Sequence, residues 1–318
     1  MKITVIGCGR WGSFIAWYLD KIKHQVTLYG RESSENMQQF LSTRSNGLVD
    51  LPETMELTTS LEHIKEADAI VISINSQGLP KLMEELKQYE LKDKTFILCM
   101  KGIEITTGKR LSQIASENTD PSNKVAVWLG PGHVQEFTKG IPNCMVIDSE
   151  SEEVKKELVD AFSSELIRFY YGQDLIGNEI GGAAKNVIGI AAGMLDGMNL
   201  STLKGALMSR GTREIARLIA AMGGNELSAY GLCHLGDYEA TVFSKFSHNR
   251  TFGECYVKGE PYKSLAEGYY TVKALKGLEE KYQVELPICN AVYDVLYNGA
   301  ETKVTINQLF TRSLKNEF

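Results

Sequence analysis

Near its start the chain reads Gly7-Cys8-Gly9-Arg10-Trp11-Gly12, a G-x-G-x-x-G spacing. Between a strand and a helix, three such glycines do separate jobs. Gly7 permits a tight turn, Gly9 lets the backbone approach a pyrophosphate, and Gly12 lets the helix pack closely on the strand. The helix N-terminus then offers N–H groups and a positive dipole end to the phosphates. Lys185 offers a different chemistry. It stands in the run GGAAKNVIGIAAG at 181–193, with Gly181, Gly182, Ile188 and Gly189 as helical neighbours. A lysine on so apolar a face is costly to bury unless it is paired or neutral. With a lowered proton affinity it suits proton exchange with a hydroxyl near neutral pH. The same spacing also allows a lysine that snorkels outward past the alanines. Asn186 beside it suits a substrate oxygen.

Three further segments have site character. Met100-Lys101-Gly102 follows an apolar run read as a strand, at the end where α/β sheets present ligand-binding loops. Leu235-Gly236-Asp237 and Ser247-His248-Asn249-Arg250 collect polar and cationic groups, a pattern of anion sites and of ordinary exposed loops alike. After the second strand comes Tyr29-Gly30-Arg31-Glu32, where NAD-preferring sites place an acid for the ribose. Arg31 suits a 2′-phosphate, which favours NADP without excluding NAD; it also reads as a solvated loop charge.

Holding these groups takes a particular order of elements. Residues 2–6 form a β-branched run, 11–19 a helical pattern and 25–29 a second strand, the unit that makes a parallel pair through a crossover helix. The run at 69–74 is continuously apolar, as strands buried on both faces are, and 95–100, 125–129, 144–147 and 167–171 follow. Helical patterns at 80–88 and 152–163 alternate with them. From about residue 176 the texture changes to long helical patterns at 181–197, 203–222, 269–282 and 288–297. The expected fold is α/β: an N-terminal Rossmann-type doubly wound sheet over 1–175, then an all-helical substrate-binding domain over 176–318.

Bulk composition narrows the function. The 318 residues are 43% hydrophobic and 23% charged with a net charge of −6, so no electrostatic footprint for nucleic acid is present. Six cysteines without a C-x-x-C pair read as reduced thiols, and no His/Cys spacing suits a metal. The opening MKITVIG already reads as a strand, so no signal peptide is expected, and no apolar stretch is long enough for a membrane span. The expected location is cytoplasmic.

Taken in order, these segments resemble the NAD(P)-dependent glycerol-3-phosphate dehydrogenase family. The matching landmarks are GCGRWG at 7–12, LYGRE at 28–32, KGIE at 101–104, and GPG-x-x-x-E at 130–136. In the second half come GGAAKNVIGIAAG at 181–193, RGTREIARL at 210–218, LGD at 235–237, HNRTFG at 248–253, AEGYYTVKAL at 266–275 and ELPICNAVYDVLYNG at 285–299. The resemblance implies an oxidoreductase that transfers a hydride between NAD(P)H and dihydroxyacetone phosphate, giving sn-glycerol 3-phosphate. It makes Lys185 the proton donor and acceptor at the C2 oxygen, with Lys101 and Asp237 lining the site. It places Gly130, Gly132, Asn186, Ser247, His248 and Asn249 around the substrate and its phosphate. It assigns Gly7, Gly9, Arg10, Trp11, Gly12, Arg31, Lys101, Val134, Arg250 and Glu267 to the cofactor. It also implies a homodimer and a place in glycerophospholipid metabolism.

Two departures bear on the phosphate. The family usually reads S-R-N-R where this chain has Ser247-His248-Asn249-Arg250, and a Ser or Thr where it has Gly132. Histidine offers at most two donors, and losing a bidentate arginine in a desolvated site costs about 2 kcal/mol. Arg10, His133 or Arg250 would have to compensate. The alternative is a paralogous dehydrogenase acting on a related 2-keto or 2-hydroxy substrate with a different anionic end. A third reading, a silent dinucleotide-binding sensor, is opposed by the presence of Lys185.

Overall fold

A computed structural model describes residues 1–311; residues 312–318, which the sequence reading places at the end of the helical domain, lie outside the described residues. The chain divides into two compact units. One comprises residues 1–101 and 109–175, the other, among the described residues, 102–108 and 176–311.

The first unit holds eight strands: β1 (Lys2–Ile6), β2 (Gln25–Tyr29), β3 (Glu56–Thr58), β4 (Ala69–Ile72), β5 (Thr95–Leu98), β6 (Lys124–Leu129), β7 (Asn143–Ser149) and β8 (Ile167–Tyr171). Their order is β3-β2-β1-β4-β5-β6-β7-β8. The helices are α1 (Arg10–Lys21), α2 (Glu35–Thr43), α3 (Leu79–Leu86), α4 (Leu111–Glu117), α5 (Val134–Phe137) and α6 (Glu152–Phe162). The strand order turns back between β1 and β4, the switch point where doubly wound sheets bind ligands beyond the carboxyl ends of their strands. β4 (AIVI) is buried at every position, as its unbroken apolar run requires. All neighbours run parallel except β6 and β7, which are antiparallel. The four-residue α5 lies in their connection. At about 1.5 Å per residue it is too short to carry the chain back along a strand.

Besides the four-residue α5, three elements of this unit escape sequence periodicity. β3 is only three residues long. α2 buries only Met37 and Phe40, too few points to reveal a helical face. α4 is seven residues of mixed polarity. The core is aromatic, with Phe14 stacked on Phe137 at 5.0 Å and Trp128 edge-on to Phe169 at 4.9 Å.

The second unit is built round α7 (Leu175–Gly197), which begins six residues before the expected 181 and is buried on almost every side. Around it are α8 (Lys204–Ala221), α9 (His248–Lys258), α10 (Glu267–Tyr282), α11 (Pro287–Tyr297) and α12 (Thr302–Phe310). Glycines set the distances. A Cβ on Gly193 would lie 1.9 Å from the Arg250 carbonyl oxygen, and one on Gly253 would lie 2.1 Å from that of Ile190, so α7 and α9 cross backbone to backbone. A Cβ on Gly268 would meet the Asn186 carbonyl at 2.7 Å, so α10 approaches α7 in the same way.

The segment 102–108, which the sequence reading leaves in the first domain, belongs with the helices. Ile103 is buried in the helical core. Glu104 closes the turn by accepting from the Thr106 and Thr107 amides at 2.8 and 2.7 Å. Among the described residues no helix is long and apolar enough to cross a membrane.

Candidate active site

In the first unit the glycine loop sits at the switch point. Gly7 has φ +114°, and a Cβ there would lie 2.1 Å from the Ser73 carbonyl oxygen at the end of β4. A Cβ on Gly12 would lie 2.0 Å from the Gly7 oxygen. Gly9, the residue capping α1, differs: a Cβ there would meet nothing within 4 Å. That is the arrangement a pyrophosphate needs, two glycines closing the turn and a third leaving bare backbone before a helix N-terminus. These residues therefore fit a dinucleotide. Arg10 and Trp11 open α1 half-buried, and Trp11 packs against Phe14 and Phe137 at 5.2 and 6.2 Å. Arg31 lies exposed just past β2.

The ends of β5 and β6 are joined through Lys101, whose Nζ donates to the Gly130 carbonyl at 2.6 Å. Gly130 and Gly132 have φ +127° and +144°, which favours glycine. A Cβ on Gly132 would come within 2.3 Å of the Phe137 ring, so an aromatic edge occupies the space a Ser or Thr would need. His133 is the residue preceding α5, and Val134, its first residue, is buried in the aromatic core.

In the second unit, Lys185 is buried on α7 and does not snorkel. Its Nζ lies 2.7 Å from Asp237 Oδ2 and donates to Thr241 Oγ1 at 2.6 Å. Of the two ways to bury a lysine, pairing is the one used, with a carboxylate only 1% exposed. Asp237 comes from a short 3₁₀ turn, Leu235–Asp237, and Thr241 from the π-helical turn that follows, Glu239–Phe243. π turns recur at functional sites because the extra residue re-aims side chains. Gly189 makes room for Thr241, whose Cγ2 would lie 2.7 Å from a Cβ there.

Behind this pair is a group the sequence reading did not single out. His234 is fully buried, with Nδ1 2.8 Å from the Gly181 carbonyl and Nε2 2.7 Å from the Tyr238 hydroxyl. A carbonyl can only accept, so Nδ1 carries the proton and Tyr238 donates to Nε2. Burial pushes His234 down to about 4, against the pull of the Gly181 carbonyl and with the Lys185 charge adding to it, so the ring is neutral at physiological pH. The i,i+4 spacing of His234 with Tyr238, and of Asp237 with Thr241, was the available signal.

Asn249 ties three helices together. Its Nδ2 donates to Asn186 Oδ1 at 3.0 Å and its Oδ1 accepts from the Gly268 amide at 2.9 Å. Asn186 is thereby oriented with its amide nitrogen as the donor end. Ser247 caps α9, its hydroxyl accepting from the Arg250 amide at 3.3 Å. What reads in sequence as a polar loop is thus a helix N-terminus, hidden because α9 buries only Gly253. His248, the first residue of α9, has Nδ1 2.6 Å from the Tyr262 hydroxyl. Arg250, which the resemblance assigns to the cofactor, is held by Asp196 and Glu254 at 2.6 and 2.9 Å and donates to the Ser244 carbonyl. Asp196 also pairs with Lys204 at 2.5 Å. Although burial opposes it, the hydrogen bonds from Lys204, Ser201 and Arg250 hold the Asp196 carboxyl below its usual range. Glu267 is half-buried as the first residue of α10.

Comparison with known proteins gives a consistent result. Residues 2–155 match the NAD-dependent glycerol-3-phosphate dehydrogenase N-terminus, and 174–307 match the C-terminus of the same family. A glycerol-3-phosphate dehydrogenase [NAD(P)+] of Thermoanaerobacter sp. (strain X514) is 36% identical over 331 residues, covering 100% of this chain and 99% of the relative. One from Bacillus anthracis (strain CDC 684 / NRRL 3495) is 36% identical over 333 residues, covering 99% and 97%. The crystal structure of glycerol-3-phosphate dehydrogenase from Coxiella burnetii superposes with a TM-score of 0.92 at 25% identity, covering 98% of this chain and 99% of that one. D-mandelate dehydrogenase shares the fold at a TM-score of 0.65 and 15% identity, covering 94% of this chain and 98% of that one. With both family models matched and relatives aligned end to end, the chain belongs to the NAD-dependent glycerol-3-phosphate dehydrogenase family.

Proposed function

We propose that this chain reduces dihydroxyacetone phosphate to sn-glycerol 3-phosphate, reversibly, with Lys185 exchanging the proton at the C2 oxygen. The observation that carries the reading is the buried Lys185 ammonium, aimed by Asp237 at 2.7 Å and Thr241 at 2.6 Å. A bound nicotinamide dinucleotide supplies the hydride to C2, or accepts it in reverse. As C2 gains that hydride, negative charge collects on its oxygen, and Lys185 stabilises the charge and transfers a proton to it. Asp237 and Thr241 hold the ammonium in place through the transfer. Asn186, oriented by Asn249, donates to a substrate oxygen, and Ser247, His248 and Asn249 serve the phosphate. In the first unit, Gly7, Gly9, Arg10, Trp11 and Gly12 serve the dinucleotide, Val134 supports that site, and Lys101, Gly130 and Gly132 form the loop pair beside it. Glu267 is assigned to the nicotinamide end.

Arg31, exposed past β2, supports NADP over NAD. Six free thiols suit a reducing, cytoplasmic compartment. The family resemblance supports a homodimer and a role in supplying glycerophospholipid backbones. The rival reading built on His248 and Gly132, a related substrate with another anionic end, draws no support from relatives that align over their full length under one name.

The test is steady-state reduction of dihydroxyacetone phosphate with NADPH and NADH in parallel, followed at the nicotinamide absorbance. Turnover with a KM of about 1 μM to 1 mM is expected. Absence of turnover by protein that still binds NADPH would overturn the substrate assignment.

A further inference from the structure

The segment between α9 and α10 carries Tyr262, a half-buried tyrosine with a specific attachment to the proposed phosphate end. Its hydroxyl lies 2.6 Å from His248 Nδ1, and the two rings meet edge to face at 6.4 Å. The tyrosine ring is itself anchored, 5.8 Å from Phe252 on the next turn of α9, and Phe252 in turn meets Tyr269 of α10 edge-on at 5.9 Å. His248 is thus held by a residue whose ring packs on α9 at Phe252, itself braced by Tyr269 of α10.

We propose that Tyr262 is a positioning residue for substrate recognition: it engages His248 Nδ1 so that Nε2–H is the donor turned to the substrate phosphate. This rests on the proposed role of His248 at that phosphate. The chemistry follows from what a phenol can do. When the ring is charged, both nitrogens are donors, and the Tyr262 oxygen accepts from Nδ1. When the ring is neutral, one N–H remains; Tyr262 donates to Nδ1, and the proton resides on Nε2. Only the other neutral tautomer would present a lone pair to an anion, and because a phenol is a better hydrogen-bond donor than acceptor, Tyr262 beside a neutral ring disfavours it. A phenol, able to donate or accept, serves both protonation states, whereas a backbone carbonyl or amide at that point would serve one. His248 is also the first residue of α9, so its donor works at the end of a helix whose N–H groups and dipole favour an anion. The pair is this chain's substitute for an arginine, two residues doing with one fixed donor what a guanidinium does with several.

The experiment is a double-mutant cycle on the purified full chain, with dihydroxyacetone phosphate and NADPH as probes. Tyr262→Phe keeps the ring and its packing on Phe252 and removes only the hydroxyl. It is expected to raise the KM for dihydroxyacetone phosphate about five- to tenfold, with kcat and the KM for NADPH within twofold of wild type. In a His248→Ala background the same change is expected to add less than twofold. Nitrogen-15 NMR of the wild-type histidine at alkaline pH should show the Nε2–H tautomer, mixed with the other in Tyr262→Phe. An unchanged KM in Tyr262→Phe, or an equal rise in both backgrounds, would overturn the proposal. Wild-type protein that does not turn over dihydroxyacetone phosphate would instead defeat the substrate assignment on which it rests.

Discussion

Replacing Lys185 by methionine separates what the ion pair does for stability from what it does for chemistry. Met fills a similar volume without charge. Asp237, 1% exposed, loses its partner at 2.7 Å and is left as a buried charge beside a threonine. Breaking one side of a buried pair costs about 3–5 kcal/mol. Against a total stability of about 5–15 kcal/mol that is a large fraction, visible as an early midpoint in urea. Removing both charges, as in Lys185→Met with Asp237→Asn, leaves no uncompensated ion. Paired removal of this kind is close to neutral, so the double variant is expected to return to within about 1–2 kcal/mol of wild type. Turnover follows a different pattern. A missing general acid–base group costs about 10²–10⁴-fold in kcat, and the double variant, though stable, lacks that group too. NADPH affinity should stay within twofold throughout, measured by fluorescence titration. A double variant that regained turnover to within tenfold of wild type would refute the proton-transfer role. A single variant that lost less than about 1 kcal/mol would refute the claim that the pair is coupled and buried.

The remaining predictions address other parts of the molecule. Gly9→Ala should melt like wild type, since a Cβ there meets nothing within 4 Å, yet weaken NADPH binding at least about tenfold by intruding on the pyrophosphate's space; unchanged affinity in a binding titration would mean the loop holds no phosphate. Arg31→Ala should raise the KM for NADPH about tenfold and leave that for NADH alone, which parallel kinetics would show. Glu214 is buried beneath α11, accepting from the Ile288 and Cys289 amides at 2.8 and 2.9 Å, and burial pushes its carboxyl up to about 7 despite those bonds. A carboxyl raised above its unfolded value holds its proton more tightly in the folded state, so stability falls as pH rises from about 4.5 to 7 and levels off above, by about 3 kcal/mol. Glu214→Gln should remove that slope from urea melts taken across the range, whatever its constant offset; an unchanged slope would place the pH dependence elsewhere.

Much of this molecule is written in local pattern. β4 reads as a buried strand because every position is apolar, and β1 because every position after the exposed Lys2 is apolar or β-branched; a strand buried on both faces leaves no alternation to confuse with a helix. The glycine loop is legible because the spacing of its turn, approach and packing positions is set within six residues. Lys185 stands out because a charge among glycines and alanines at helical spacing demands an explanation. α9 and β3 were not legible, one because it buries almost none of its residues and the other because three residues are too few to show a period.

What the sequence determined by itself was therefore whatever one helical face or one strand can encode: the sheet's parallel units, the loop before α1, and the need of Lys185 for a partner. The tertiary structure decided which partner. Asp237 and Thr241 reach Lys185 from a 3₁₀ turn and the π-helical turn that follows it, Arg250 is drawn to Asp196, and Tyr262 is set against His248 by its packing on Phe252. Each of these pairings joins residues far apart in the chain or on different elements, and depends on how closely helices approach. That distance is set by glycines such as Gly193 and Gly253, whose missing Cβ atoms let α7 and α9 meet. Periodicity records which face of an element is apolar; it carries no record of the separation and rotation at which two such faces come together, and those are what bring a carboxylate within 2.7 Å of a lysine.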